Sequence, residues 1–380
     1  MIRNFKRSAA VIGVVAASSA ALVACSNSSD QASNGSDSSA KGSSESSVEL
    51  PGGYTLSGAT GGLVAEGASS QQNAMDYFGA KFQEVTNGDS YLEYNPTGSG
   101  SGRTNFVAGQ VVFAGSDSPL AEDQVEPAKK RCGGNEAWHL PFVIGPVAIA
   151  YNLEGVEKLN LTTQTVADIF SGKITTWNDP KIAAENAGVE LPDTPISVVY
   201  RSDESGTSDN FQKFLKASTE GWTGEGTNFP ATVGEGAQGS SGVATQVQQI
   251  DGGITYVEHS HAADSGLGIA NIDFGNGPVE INEENVGSAL DSLEFKTEGN
   301  NMVIDSAALY GSAEGYPLIL TTYEIVCSGG YTEEEANLVK DFLMTALAHQ
   351  DEGLAEAGHI PVTGSHYDRL VEAVNAISAG

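Results

Sequence analysis

The sequence predicts an α/β protein with mostly parallel strands, and three observations lead to that prediction. Short runs rich in β-branched and aromatic residues, such as Ile196–Tyr200, alternate along the chain with segments whose apolar residues follow helical spacing. Small turns rich in serine and glycine join a run to the helix after it. No repeat with a period of about 20–50 residues interrupts the alternation. Strands that alternate with helices are typical of a sheet covered by helices on its faces.

The elements can be placed in order from residue 50. Leu50–Leu63 is predicted to be an opening strand and turn. The helix after Ser69 and Ser70 carries its apolar residues on one face, and serine at its start suggests capping. That face is formed by Met75, Phe78, Phe82 and Val85. Further strands are predicted at Tyr91–Tyr94, Val111–Ala114, Gly253–Val257 and Tyr316–Val326, and further helices at Thr162–Phe170, Val243–Ile250, Glu333–Ala348 and Tyr367–Ile377.

One apolar run is too long for a single ordinary strand. It covers His139–Asn152 and contains Gly145 and Pro146 near its middle. We predict two strands joined at a Gly-Pro bend, and such a bend is a natural place for the chain to cross between domains. Because of this break, the run does not have the length of a membrane span.

Charge limits the partners of the protein. The 380 residues include 18 lysines and arginines against 49 acidic side chains, and the net charge is −31. Nucleic acid and anionic membrane surfaces both require a basic surface, so neither is expected as a partner. The same field repels a free anion, so that any anion site must depend on local donors.

The N-terminus has the features of a targeting segment. Arg3, Lys6 and Arg7 precede the apolar stretch Ala9–Val23, and Leu22–Cys25 resembles a bacterial lipobox. Residues 1–24 are therefore predicted to be a lipoprotein signal peptide, with a lipid attached to Cys25. Residues 25–47 are rich in serine and are predicted to be a disordered tether. The alternative is an ordinary secretory signal with a chance cysteine. Lipidation would hold the protein on the extracytoplasmic face of the cell membrane.

Cys132 and Cys327 are the other two cysteines. An extracytoplasmic location permits a disulfide between them, which would tie two distant segments together. Two separate buried thiols are the alternative.

The stretch Arg201–Thr207 carries the strongest chemical signal. It lies between a predicted strand and a predicted helix, and Ser205 and Thr207 are residue types that cap helices. Gly206 allows a close approach of the backbone to a ligand, and Arg201 offers a planar fork of donors, with Asp203 positioned to orient it. This stretch is either an oxyanion site or a capped helix start with a surface ion pair.

Two more loops share this design, namely Ser69–Ser70 and Gly98–Gly102, and Asp117 follows a third predicted strand. Ligands of α/β sheets bind at the carboxyl ends of strands, and loops rich in N–H groups suit an oxyanion. The nucleotide-binding pattern Gly-x4-Gly-Lys-[Ser/Thr] and the nucleophile elbow Gly-x-Ser-x-Gly are both absent from the sequence. His259 and His261 alternate on a predicted strand, but without a third ligand they make a weak metal site. We therefore expect no catalytic residue, metal or cofactor, although a serine hydrolase that uses Ser205 stays open on spacing alone.

Several motifs, in a consistent order, resemble the PstS-type phosphate-binding lipoproteins, the substrate-binding subunits of the phosphate ABC importer. The motifs are Thr97–Gly102, Gly115–Leu120, Ile169–Pro180, Arg201–Ser208 and Gly253–Glu258. The resemblance implies a two-lobe periplasmic-binding-protein-like fold of type II, with mixed sheets flanked by helices and a two-strand hinge. It also implies inorganic phosphate as the ligand and the permease and ATPase subunits of a phosphate ABC transporter as partners. We expect lobe I to comprise residues 48–144 plus 317–380 and lobe II residues 145–316.

The resemblance also implies a set of phosphate ligands, with Asp203 paired to the arginine. By position the ligands are Ser69, Ser70, Ser99, Asp117, Arg201, Ser205, Gly206 and Thr207. Where the family commonly has Thr-Phe, this chain has Ser69–Ser70, so the Ser70 contact would come from its backbone N–H or from a new hydroxyl bond. Phosphate at neutral pH carries a proton that Asp117 can accept, whereas sulfate does not. Alternatives are a secreted phosphoester hydrolase, a phosphate-sensing adhesin, or a binder of sulfate, molybdate or a phosphonate.

Overall fold

The structure is a computed structural model, and it describes residues 49–380 except 231, 291–292 and 312–313. The predicted signal peptide, Cys25 and the serine-rich tether lie outside the described residues. Within the described ranges, no helix combines the length and the apolar character needed to cross a bilayer.

Strands and helices alternate from the first described element to the last. The strands are β1 (Gly61–Gly67), β2 (Ser90–Asn95), β3 (Phe113–Ser116), β4 (Ala137–Asn152), β5 (Asn160–Thr162), β6 (Ser197–Arg201), β7 (Glu235–Ala237), β8 (Gly253–Glu258), β9 (Gly268–Ile269), β10 (Asn271–Asp273), β11 (Pro278–Val279) and β12 (Ile319–Cys327). The helices are α1 (Gln72–Val85), α2 (Ser99–Val107), α3 (Glu122–Arg131), α4 (Thr163–Phe170), α5 (Pro180–Glu185), α6 (Gly206–Ser218), α7 (Gly239–Gln248), α8 (His259–Asp264), α9 (Glu283–Leu290), α10 (Ser306–Tyr310), α11 (Glu333–Ala348), α12 (Glu352–Glu356) and α13 (Gly364–Ala376).

The main sheet is mixed, which corrects the expectation of mostly parallel strands. Its strand order within the described residues is β2-β1-β3-β12-β4-β8-β6-β7, with β9 also paired to β4. Parallel pairs occur towards each end, in β2-β1-β3 and in β8-β6-β7. The long strands β12 and β4 join the two ends through antiparallel pairing. A smaller sheet has the order β11-β10-β5.

Strand β4 is continuous, so the prediction of two strands joined at a bend was wrong. Proline has no backbone N–H and is rare inside inner strands, but Pro146 is the last residue of β4 that pairs with β12, so it lies at the end of that ladder. The position of the predicted bend nevertheless marks a change of partner. Residues up to Pro146 pair with β12, and residues from Val147 onwards pair with β8. The Gly145–Pro146 step therefore lies where one half of the sheet gives way to the other.

Aromatic side chains fill the core on both sides of this change. The predicted inner face of α1 is buried at Phe78 and Phe82, and Phe82 contacts Phe342 of α11 edge to face. In the other half, Phe211 of α6 stacks on Tyr256 of β8, with ring centroids 4.4 Å apart. This stacking packs α6 against β8, the neighbour of β6, and the Arg201–Thr207 stretch joins β6 to α6.

The two cysteines of the described chain form a disulfide. Cys132 follows the last residue of α3 and Cys327 ends β12, and both side chains are buried. The bridge joins residues 195 positions apart in the sequence. It ties α3 to the strand that runs through the middle of the main sheet.

Replacement of both cysteines by alanine should lower the free energy of unfolding. A bridge that closes a long loop restricts the unfolded chain, and removal of a native disulfide costs about 2–5 kcal/mol. Urea unfolding of the oxidised protein and of the double variant measures the difference. The reduced wild-type protein is the control and should unfold at the lower denaturant concentration as well. Equal midpoints for all three would contradict a stabilising bridge.

Candidate anion-binding site

The loops predicted to bind an anion all follow strands of the main sheet. Ser69 and Ser70 come after β1, Ser99 after β2 and Asp117 directly after β3. The stretch from Arg201 to Thr207 contains the end of β6 and the start of α6. Because parallel strands present their carboxyl ends at the same edge, these segments can meet, and hydrogen bonds now connect them in two groups.

The first group is centred on Asp117, which is only 4% exposed. Its Oδ1 accepts hydrogen bonds from Ser70 Oγ at 2.6 Å and from Thr322 Oγ1 of β12 at 2.7 Å. Its Oδ2 accepts from Ser99 Oγ at 3.2 Å, and the backbone N–H of Asp117 donates to Ser99 Oγ at 3.1 Å. Three hydroxyl groups therefore surround one buried carboxylate.

Burial is the main influence on the pKa of Asp117 and raises it to about 6. The hydrogen bond from Ser70 lowers the pKa, the nearby Glu258 raises it, and the bond from Thr322 and the charge of Arg201 lower it. At neutral pH the side chain is consequently ionised in most molecules, and it acts as an acceptor. Below about pH 6 it carries a proton and can donate instead.

The second group is centred on Arg201, which is 3% exposed. Asp203 forms a bidentate pair with the guanidinium. The distance from Nε to Oδ1 is 2.8 Å, and the distance from Nη2 to Oδ2 is 2.5 Å. The remaining nitrogen, Nη1, donates to Thr207 Oγ1 at 3.3 Å and to Ser240 Oγ at 3.1 Å. Bidentate pairing with Asp203 thus fixes the plane of the guanidinium and turns Nη1 towards the hydroxyl groups.

The start of α6 approaches the Asp117 group very closely. Ser205 is the N-cap residue, and its side chain accepts a hydrogen bond from the backbone N–H of Ser208 at 3.2 Å. A Cβ atom on Gly206 would lie 2.5 Å from both Asp117 Cβ and Ser99 Oγ, too close for any side chain. Glycine at this position allows the N–H groups of the helix end to face the cluster.

Ser69 links the β1 loop to α7 and to the arginine. Its Oγ lies 3.0 Å from Ser240 Oγ and accepts from the backbone N–H of Ser240 at 3.0 Å. Neither Ser69 nor Ser70 caps a helix: the turn Ser69–Gln71 and α1 both begin without a side-chain cap. The predicted capping role was wrong, because these hydroxyl groups bond to Ser240 and Asp117 instead.

Sequence reasoning missed three residues of the cluster. Ser240 lies at the start of α7 after a glycine-rich segment, the same pattern as in the other loops, so that pattern could have identified it. Thr322 lies inside an apolar run, and no local signal marks it. Glu258 accepts a hydrogen bond from Thr207 Oγ1 at 2.6 Å, although its motif was noted only for resemblance.

The two alternating histidines are not on a strand. They lie in the first turn of α8, because β8 ends at Glu258, so the prediction that they share a strand face was wrong. His261 is buried with its Nε2 3.2 Å from the carbonyl oxygen of Ser69. Across the described ranges, no group of three or more His, Cys, Asp or Glu side chains is arranged to hold a metal ion.

The cluster contains the donors and the acceptor that a small oxyanion with a proton would need. Guanidinium, hydroxyl and backbone N–H groups supply donors, and Asp117 supplies an acceptor. Nucleophilic catalysis needs a base bonded to the hydroxyl, and no histidine in the described part of the chain bonds to Ser205 Oγ. The predicted ligand residues therefore lie together, and their role as ligands stays a prediction.

Comparison with known proteins identifies the family to which the chain belongs. Residues 37–346 match the model of the PBP superfamily domain. The phosphate-binding protein PstS2 of Mycobacterium bovis is 41% identical, over 99% of this chain and 100% of that protein. The phosphate-binding protein PstS 3 of Mycobacterium leprae is 42% identical, over 83% of this chain and 87% of that protein. The phosphate-binding protein PstS of Xylella fastidiosa is 31% identical, over 79% of this chain and 81% of that protein.

Solved structures support the fold. A high-affinity periplasmic phosphate-binding protein, PfluDING, solved with bound phosphate, superposes with a TM-score of 0.67 at 23% identity and covers 84% of this chain and 96% of its own. A human phosphate-binding apolipoprotein superposes with a TM-score of 0.64 at 20% identity and covers 80% of this chain and 92% of its own. At these identities the likeness concerns the fold alone. The predicted two-lobe periplasmic-binding fold with mixed sheets is confirmed, and the chain belongs to the PstS family of phosphate-binding proteins within the PBP superfamily.

Proposed function

We propose that this protein binds inorganic phosphate with high affinity outside the cytoplasm and delivers it to an ABC importer. It is a binding protein and not an enzyme. One observation carries the proposal: a buried carboxylate, Asp117, lies among hydroxyl groups and close to the buried guanidinium of Arg201. The full-length similarity to PstS proteins supports the same ligand.

Each predicted ligand has a physical role in the proposal. Arg201 supplies charge-assisted hydrogen bonds from a guanidinium that Asp203 already orients. Backbone N–H groups at Gly206 and its neighbours supply the positive end of α6. The remaining predicted donors are hydroxyl groups, namely those of Ser69, Ser70, Ser99, Ser205 and Thr207. Together these donors replace the hydration shell that phosphate loses on entry.

Asp117 is the residue proposed to choose phosphate over sulfate. Phosphate at neutral pH carries a proton and donates it to a carboxylate oxygen. Sulfate has no proton to donate, so it would face the ionised Asp117 without a hydrogen bond. A buried polar group without a hydrogen-bond partner costs about 1–3 kcal/mol, and more when the group is charged. This cost disfavours sulfate.

We propose that the lobes close around phosphate as a hinge, with lobe I formed by residues 48–144 plus 317–380 and lobe II by residues 145–316. Strands β4 and β12 would form the two crossings. The change of partner along β4 supports this division. Under this assignment, Ser69 bonds to Ser240 and the N–H of Gly100 donates to the carbonyl of Glu204 at 2.9 Å across the cleft.

The proposed partners are the permease and ATPase subunits of a phosphate ABC transporter. Cleavage after residue 24 and attachment of a lipid such as palmitate to Cys25 would hold the protein on the extracytoplasmic face of the cell membrane. The lipobox-like run Leu22–Cys25 supports this anchor. The acidic chain, with its net charge of −31, gives no reason to expect nucleic acid as a partner.

Titration calorimetry with phosphate and sulfate tests the ligand and its selectivity. At neutral pH we expect phosphate to bind and sulfate to bind at least tenfold more weakly, because a difference of about 1.4 kcal/mol corresponds to a factor of ten. As the pH falls through about 6, Asp117 becomes protonated and can donate, so sulfate affinity should rise.

Asp117→Asn is the control for this titration, since its amide donates at any pH. This variant should bind sulfate at neutral pH, and its sulfate affinity should depend little on pH. Its ratio of phosphate to sulfate affinity should fall by a larger factor than its phosphate affinity. Comparable affinities for the two anions in the wild-type protein would reject the role of Asp117. Turnover of a chromogenic phosphate monoester would instead favour a hydrolase.

Substitution of Gly206 by alanine should weaken phosphate binding by at least tenfold, because the new Cβ would overlap Asp117 and Ser99. Gly242→Ala, within α7, is the matched control, since its Cβ would meet only Ala237 at an ordinary 3.9 Å. Calorimetry gives both affinities, and circular dichroism reports folding. A Gly206→Ala protein that binds phosphate as tightly as the control would show that α6 does not approach the anion as proposed.

A further inference from the structure

A second buried carboxylate, Glu258, lies at the candidate site. It ends β8, it is 3% exposed, and its Oε1 accepts the hydroxyl hydrogen of Thr207 at 2.6 Å. Its Oε2 is buried and has no hydrogen-bond partner among the residues that the structure describes. Burial of a carboxylate costs free energy unless hydrogen-bond donors offset that cost, so each donor to Glu258 matters.

His359 lies on the same side of the sheet as Glu258, as strand register shows. Glu258 pairs with Val147 of β4, and Gly145 lies two residues earlier on the same face of that strand. A Cβ on Gly145 would be 3.3 Å from Nδ1 of His359. The imidazole is 4% exposed, and neither of its nitrogens bonds to any group in the described ranges.

The imidazole of His359 is neutral at neutral pH. Burial above all, together with the nearby His261, lowers its pKa to about 4, and Glu258 acts in the opposite direction. It therefore supplies no positive charge to hold Glu258 ionised. Two charged groups also lie near Glu258, namely Arg201 at the end of β6 and Asp117 after β3.

Thr207 cannot serve Glu258 and an anion at the same time. A threonine hydroxyl has one hydrogen, and Thr207 now gives it to Glu258 while its oxygen accepts from Arg201. If Thr207 donates to phosphate, as the proposed function requires, Glu258 loses this donor. The carboxylate would then lie buried beside a dianion that also takes a share of the Arg201 charge, which is a costly arrangement.

We propose that Glu258 takes up a proton from solvent when phosphate binds. Its carboxylate becomes a carboxylic acid, and no other bond forms or breaks apart from hydrogen bonds. The acid then donates to Thr207 Oγ1, and the Thr207 hydroxyl donates to phosphate, so the direction of the present 2.6 Å hydrogen bond reverses. Glu258 is thus a positioning residue that turns Thr207 towards the anion. This inference rests on the proposed function.

Calorimetry in two buffers of different ionisation enthalpy measures the protons taken up per phosphate bound. The wild-type protein should take up about one more proton than Glu258→Gln, since the amide keeps a donor for Thr207 without titrating. Any change in the protonation of phosphate itself is common to both proteins and cancels. Glu185→Gln is the matched control, because Glu185 also accepts a threonine hydroxyl, from Thr165 at 2.7 Å, at another place in the fold. Glu185→Gln should take up the same number of protons per phosphate as the wild type.

Infrared difference spectra provide a readout that does not depend on the folding of the glutamine variant. Phosphate should produce a new carboxylic-acid C=O band in the wild-type protein and in Asp117→Asn. Phosphate binding with equal proton uptake in wild type and Glu258→Gln, or with no new band in the wild type, would overturn this inference and leave the proposed function intact. A wild-type protein that binds no phosphate would overturn both.

Discussion

A buried positive charge in a very acidic protein is the constraint on which the site depends. The chain has a net charge of −31, so the general field repels phosphate, and a local arrangement must overcome it. In the proposed site Arg201 would provide that arrangement, because Asp203 accepts from two of its nitrogens while Nη1 donates to the hydroxyl groups of Thr207 and Ser240. The donors come from several strand ends that meet at one edge of the sheet, which is where ligands of α/β sheets bind.

Two carboxylates occupy the donors that an anion would use. Asp117 accepts the hydroxyl hydrogens of Ser70 and Ser99, and Glu258 accepts that of Thr207. The donors are thereby held in place, with little of the rearrangement that free side chains would need. In the proposed complex phosphate would displace these contacts, since it brings both negative charge and a proton. The proposed selectivity and the proposed proton uptake would then be two consequences of one exchange of hydrogen bonds.

Local patterns predicted the alternation of strands and helices and most residues of the cluster, because each strand end carries its own turn chemistry, whereas the two-lobe fold with mixed sheets was implied by the family resemblance. They failed where a long-range contact decides the outcome. The continuity of β4 depends on its pairing with two different strands, and the apolar run alone could not reveal that. His261 was assigned to a strand because alternation of polar residues resembles the start of a helix over so few positions. Thr322 joins the cluster only through the sheet and had no local signal, whereas Glu258 lay in a motif noted for resemblance that did not reveal its bond to Thr207.

Diffraction from crystals grown with phosphate tests the central claim most directly. The account predicts one phosphate with oxygens within about 2.5–3.2 Å of the Asp117 carboxylate, the Arg201 guanidinium and the Ser99 hydroxyl. It further predicts that Thr207 turns its hydroxyl from Glu258 to the ligand. Phosphate bound at another place, or bound to Arg201 while Asp117 stays bonded only to protein hydroxyl groups, would contradict the account.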